Sequence, residues 1–93
     1  MNGSAAQKLL ERMRNSPRGW NQTDFEHLFN GFEFQWREGK KHRIYIHTKF
    51  KDLSISVPRH NSLKEWVARD SIKLIDELIS RSERNKNNDG KDE

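Results

Sequence analysis

Ninety-three residues, 31% of them hydrophobic and 34% charged, leave room for one domain with a small core and exclude a two-lobed enzyme carrying its own cofactor domain. The absence of cysteine excludes a disulfide staple, a thiolate metal site and a cysteine nucleophile. No apolar run approaches the roughly 20 residues of a membrane helix, and the start, Met1-Asn-Gly-Ser-Ala-Ala6, lacks the basic-then-apolar layout of a secretion signal; the expectation is a soluble, cytoplasmic protein with no membrane partner.

Ser4-Ala-Ala-Gln7 has the form of a capping box, and Ala6, Leu9, Leu10 and Met13 follow at helical spacing. Ser16-Pro17-Arg18-Gly19 stops that helix, since proline removes a donor and restricts the residue before it. A second box, Thr23-Asp-Phe-Glu26, opens a short helix with Phe25, Leu28, Phe29 and Phe32 at i, i+3, i+4 and i+7, read as core. Gly31 suits the left-handed turn that ends a helix.

From residue 32 the period changes to two. Phe32, Phe34 and Trp36 alternate with Glu33, Gln35 and Arg37, the pattern of a half-buried strand. Glu38-Gly39-Lys40-Lys41 is a turn. His42 to Thr48 is the next strand, and its faces are indistinct because Tyr45 interrupts the alternation of Ile44 and Ile46. After the turn Lys49-Phe50-Lys51-Asp52, Leu53, Ile55 and Val57 alternate with serines until Pro58 withdraws a ladder donor. Ser62-Leu-Lys-Glu65 is a third capping box. The helix behind it carries a wide stripe of Trp66, Val67, Ile72, Leu74, Ile75, Leu78 and Ile79, which suits a helix lying across a sheet. Trp20 and Trp66 read as packing anchors, and Trp36 as a cover for one end of the sheet. Residues 82–93 hold no apolar residue; they are expected to form a disordered polar tail behind a single domain of residues 1–81.

The sum is α-α-β-β-β-α. Short loops between consecutive strands favour an antiparallel three-stranded meander, with the helices on one face and the other face open to water. The predicted class is α+β.

Net charge is +4 and unevenly placed. Residues 37–60 hold seven basic residues (Arg37, Lys40, Lys41, Arg43, Lys49, Lys51, Arg59) against Glu38 and Asp52, so this segment carries +5 and the remainder −1. His42, His47 and His60 lie in it as well. A basic concentration on a near-neutral body is the footprint of a polyanion-binding face; the alternative is a solvated lysine-rich sheet edge that discourages aggregation.

With no cysteine, histidine is the natural proton-transfer group near neutral pH. His42 opens a strand directly after two lysines. A neutral imidazole in a field that attracts phosphate can take a proton from a ribose 2′-hydroxyl, and the cations can stabilise charge developing on the phosphate. RNA supplies its own nucleophile, so neither metal nor cofactor is called for. The plainer alternative is an ordinary strand-end histidine. His42 and His47 are five apart on a strand and point to opposite faces, and no acidic residue sits at metal-ligand spacing from them, so no metal site is expected. Gly19, Gly31 and Gly39 are isolated and make no phosphate-cradling loop.

The string His42-Arg-Ile-Tyr45-Ile-His47, after a basic turn and before Leu53-Ser-Ile-Ser-Val-Pro-Arg-His60, resembles the HicA toxins, small bacterial mRNA interferases of type II toxin–antitoxin systems. Their hallmark is a Gly-Ser-His turn opening a strand, an aromatic three residues on, often a further histidine two beyond it, and a Val-Pro-x-His ending to the next strand before a final helix. Asn15-Ser-Pro17, followed by a helix ending in Gly31-Phe32, is similar to the members with two N-terminal helices. The resemblance spans residues 5–80, with one departure: Lys40-Lys41 replaces the Gly-Ser, and Gly39 is displaced by one position.

The resemblance implies a fold like a double-stranded RNA-binding domain, His42 as the catalytic residue, mRNA as substrate and a HicB-like antitoxin covering the active surface. Lys40, Lys41, Arg43, Arg59 and His60 are the candidate RNA contacts, Arg59 and His60 with loop hydrogen bonding as the alternative. Tyr45 is read as core, with base stacking as the alternative. A non-catalytic RNA-binding module using the same basic face is the competing function; a domain whose basic face meets only an acidic protein is a third.

Overall fold

The computed structural model describes residues 2–59 and 63–91, with side chains for 5–59 and 63–84. The elements follow in the order α1 (Asn2–Asn15), α2 (Gln22–Gly31), β1 (Phe34–Glu38), β2 (His42–His47), β3 (Ser54–Pro58) and α3 (Glu65–Lys91). The strands form an antiparallel meander, β1-β2-β3. The α+β class and the element order are those the sequence predicts.

The helix ends are set by other residues than the capping patterns suggest. α1 begins at Asn2, so Ser4 lies within the helix and not at its cap. α2 is capped by Asn21, whose side-chain oxygen accepts from the Asp24 N–H at 2.9 Å while the Asp24 carboxylate accepts from the Asn21 N–H at 3.0 Å. The reciprocal box exists two residues ahead of Thr23, because asparagine caps as well as serine and an acid three positions on reaches back. Gly31 stays in the helix. The left-handed position falls on Glu33, φ 69°, after the Phe32 N–H closes α2 on the Phe29 carbonyl at 3.1 Å. Phe32 therefore belongs to the helix end, and β1 starts two residues later than the alternation implies. The third expected cap, Ser62, lies outside the described residues.

α3 is continuous from Glu65 to Lys91, across the expected boundary at 81. The disordered tail is corrected to helix as far as Lys91. Its ladder outlasts Leu78, the last buried residue among the described side chains, because no proline interrupts it and charge braces the crossing: Arg81 bonds Glu77 at 2.9 Å, i,i+4, and Arg84 lies 3.5 Å from the same carboxylate. Arg81 also reaches Asp52 in the β2–β3 turn at 2.8 Å, and the paired carboxylates hold its pKa above the usual arginine value.

β2 had no clear faces in the sequence; the ladder decides them. Tyr45 pairs with Trp36 and Ile55, and His47 with Phe34, so Arg43, Tyr45 and His47 face the helices. Tyr45 is fully buried and stacks on Phe29 at 4.5 Å, and Phe29 meets Phe34 edge-on at 5.0 Å. A large aromatic buries more apolar area than an isoleucine, so the aromatic side turns inward. Around it close Leu10 and Met13 of α1, Phe25 and Leu28 of α2, Val57 of β3, and Val67 and Ile75 of α3. Trp20 packs against this core and donates its indole N–H to the Ser16 carbonyl at 2.6 Å, an anchor as expected. Trp66 is not one: it is 48% exposed, because Val67, Ser71, Ile75 and Leu78 carry the buried line of α3 and leave position 66 beside it.

Candidate nucleic-acid interface

Alternation along the strands leaves Gln35 and Arg37 of β1, His42, Ile44 and Ile46 of β2, and Ser54, Ser56 and Pro58 of β3 on the face opposite the helices. His42 sits at the end of this face, opposite Pro58, and is exposed. The turn before it is tight. The Gly39 N–H donates to the His42 carbonyl at 2.7 Å, and a Cβ on Gly39 would stand 2.9 Å from that oxygen. Glycine is required here by close approach of backbone, one residue earlier than the resembled family places its small residues.

Three cations accompany the imidazole. Lys40 and Lys41 are exposed in the turn. Arg37 pairs with Ile44, which sets it on the open face diagonally across from His42, a separation of about 7–8 Å between Cα positions in such ladders. None of the three takes part in an ion pair among the described residues. Half-buried Ile44 and Ile46 form the floor beside them. Sequence reasoning missed Arg37 as a site residue. Its position opposite Phe34 in the alternation was visible, but only the β1–β2 register brings it to His42.

Two other candidates are already engaged. Arg43 turns inward, its side chain 15% exposed. Its guanidinium lies 3.8 Å over the Trp36 ring and bonds Glu26 of α2 at 3.3 Å and Glu38 at 3.4 Å. Arg43 is thus corrected from phosphate ligand to a strut between α2 and the sheet, because one residue's step from His42 puts it on the other face. Trp36 covers this strut. Among the described residues the buried Arg43 Nε and Tyr45 hydroxyl find no hydrogen-bond partner, and burial pushes the Tyr45 phenol above its ordinary pKa. Arg59 donates to Glu38 at 2.8 Å and to the Gly39 carbonyl at 3.2 Å. His60 lies outside the described residues. Among the described residues, the unpaired positive charge of the segment is therefore split between Arg37, Lys40 and Lys41 at one end of the sheet and Lys49 and Lys51 in the opposite turn.

His47 is a different kind of histidine. It is buried, edge-on to Phe34 at 5.1 Å, and its Nδ1 accepts the Lys49 and Phe50 N–H groups at 3.0 and 3.1 Å. It caps the β2–β3 turn, and accepting at Nδ1 places its proton on Nε2. Burial, before any charge effect, lowers its pKa from 6.5. A depressed histidine favours the fold when neutral: its contribution is full above pH 6.5 and is lost as pH falls through the folded value. Urea melts at pH 7.5 and 5.0 should show that loss. His47→Ala is expected to flatten it and to cost about 1–2 kcal/mol at the higher pH by orphaning two part-buried donors; an unchanged pH dependence in the variant would assign the effect to another group.

Among the described residues, no three His, Asp or Glu side chains converge as a metal site would require, and no helix is long and apolar enough to cross a membrane. The groove between α1 and α2, lined by Lys8, Arg12, Asp24 and His27 among others, belongs to the helical side and not to the open face of His42. No protein-family model matches the chain, and neither a curated protein nor a solved structure shows significant similarity to it.

Proposed function

We propose that the chain is a toxin endoribonuclease of the mRNA-interferase kind, cleaving RNA by metal-independent histidine acid/base chemistry and neutralised by a HicB-like antitoxin. One observation carries the reading: His42 stands exposed at the end of an open sheet face, among Arg37, Lys40 and Lys41, cations with no ion pair among the described residues. An extended polymer can reach such a face, whereas a small ligand would want a pocket.

The chemistry follows from the substrate. Neutral His42 accepts the 2′-hydroxyl proton as that oxygen attacks the adjacent phosphorus. The P–O5′ bond breaks, leaving a 2′,3′-cyclic phosphate on one product, and the leaving 5′-oxygen takes a proton from the imidazolium or from water. Arg37, Lys40 and Lys41 stabilise the charge gathering on the phosphorus oxygens.

Cleavage of a single-stranded RNA should persist in EDTA. Replacing Arg37, Lys40 and Lys41 together with alanine is expected to lower RNA affinity and to reduce the slope of log K against log salt by about 2, at about 0.7 for each phosphate the variant leaves unneutralised. An unchanged slope would move the interface to the Lys49 and Lys51 end. The second reading, a non-catalytic RNA-binding module on the same face, draws on Lys40-Lys41 standing where the resembled toxins carry Gly-Ser. It gives salt-dependent binding with no product and no effect of expression on growth.

A further inference from the structure

Glu38 is the only carboxylate in the β1–β2 turn, and it is shared: one oxygen accepts from Arg59 at 2.8 Å, the other faces Arg43 at 3.4 Å. The two arginines differ in what else holds them. Arg43 keeps Glu26 and the Trp36 ring whatever Glu38 does. The Arg59 guanidinium has Glu38 and the Gly39 carbonyl alone among the described residues, and both charged side chains are about half exposed, 45% and 48%. Its backbone is separately fixed, since the Arg59 N–H donates to the Lys41 carbonyl at 3.3 Å. The guanidinium can therefore leave Glu38 without disturbing the ladder.

We infer that Glu38 is a carboxylate latch on a second phosphate-binding group, Arg59, which a phosphodiester of bound RNA displaces. Two oxygens of a phosphodiester present the acceptor geometry that a carboxylate presents to a guanidinium fork. The exchange is balanced in charge: Glu26, Glu38, Arg43 and Arg59 sum to zero, so the latch hides one positive charge beside Lys40 and Lys41 until a polyanion arrives. An exposed pair of this kind is weak in water, which lets a backbone phosphate held close by the neighbouring lysines compete with it. Arg59 thereby holds the strand at the β1–β2 turn, and Glu38 sets a threshold that disfavours weakly bound anions. The inference rests on the reading of this sheet end as an RNA interface.

The test is a double-mutant cycle on the full chain, in a His42→Ala background so that the probe is not cut. A fluorescent single-stranded RNA 12-mer is titrated at low and moderate salt against the parent, Glu38→Gln, Arg59→Ala and the pair. Glu38→Gln is expected to bind about 1.5- to fivefold more tightly at low salt, the span of one exposed ion pair released, with a log–log salt slope steeper by about 0.7. The gain should vanish when Arg59 is also alanine. A gain that survives Arg59→Ala is a general field effect and overturns the latch, as does no gain at all in a protein that binds RNA. Failure of every variant, parent included, to bind RNA at low salt overturns the latch and the interface together. Unchanged thermal melts of Glu38→Gln and Arg59→Ala establish that affinity, not folding, is being read.

Discussion

His42→Ala is expected to lower RNA cleavage by about 10²–10⁴-fold, the range a positioned acid/base contributes, while RNA affinity stays within about twofold, since the anchoring charges belong to Arg37, Lys40 and Lys41. Stability should shift by less than about 0.5 kcal/mol, because the exposed ring packs against no core and the Gly39 hydrogen bond uses the His42 carbonyl. In bacteria, inducible expression of the wild type should arrest growth and deplete bulk mRNA, and expression of the variant should do neither. Cleavage retained by His42→Ala would remove this residue from the mechanism and leave the RNA-binding module standing.

The largest effect on folding is expected at Phe29. It is fully buried, stacks on Tyr45 and meets Phe34 edge-on, so through this ring α2 packs on both β1 and β2. Phe29→Ala removes the transfer free energy of the ring and leaves a cavity that the sheet cannot close, at a cost of about 3–5 kcal/mol. Against a total of about 5–15 kcal/mol for a domain, that removes between about a fifth and all of the stability, so the urea midpoint should fall steeply. Trp66→Ala, a larger truncation on an exposed ring, should cost about 0.5 kcal/mol or less. Equal effects at the two positions would mean that the helices do not pack on the sheet through Phe29.

How far the fold could be read in advance depended on the range of the interactions. The change of period at residue 32, the turn at Gly39, the stop at Pro17 and the strand end at Pro58 are local chemistry, and each element they bound is present. The expected caps failed at α1 and slid at α2 because several residues near a helix start can satisfy the same free N–H groups, and the choice among Asn21, Thr23 and their neighbours is settled by where the chain enters the core. The candidate site was legible in part. The place of His42 after a basic turn is a matter of sequence, and its exposure follows from pairing with Pro58 at the end of the ladder.

Element order, the small core and the basic segment with its strand-opening histidine come from composition, periodicity and turn residues, all of which act within a few positions along the chain. Which face of β2 turns inward, and so which of its charges remain free, was decided by contacts between residues far apart: Phe29 of α2 claiming Tyr45, Glu26 claiming Arg43, and Glu38 claiming Arg59. A strand offers its two faces almost equally until a partner buries one, and an arginine is as ready to pair with a carboxylate as with a phosphate. Only the register between strands and the helix laid across them resolves either choice, and here it replaces Arg43 with Arg37 beside the imidazole.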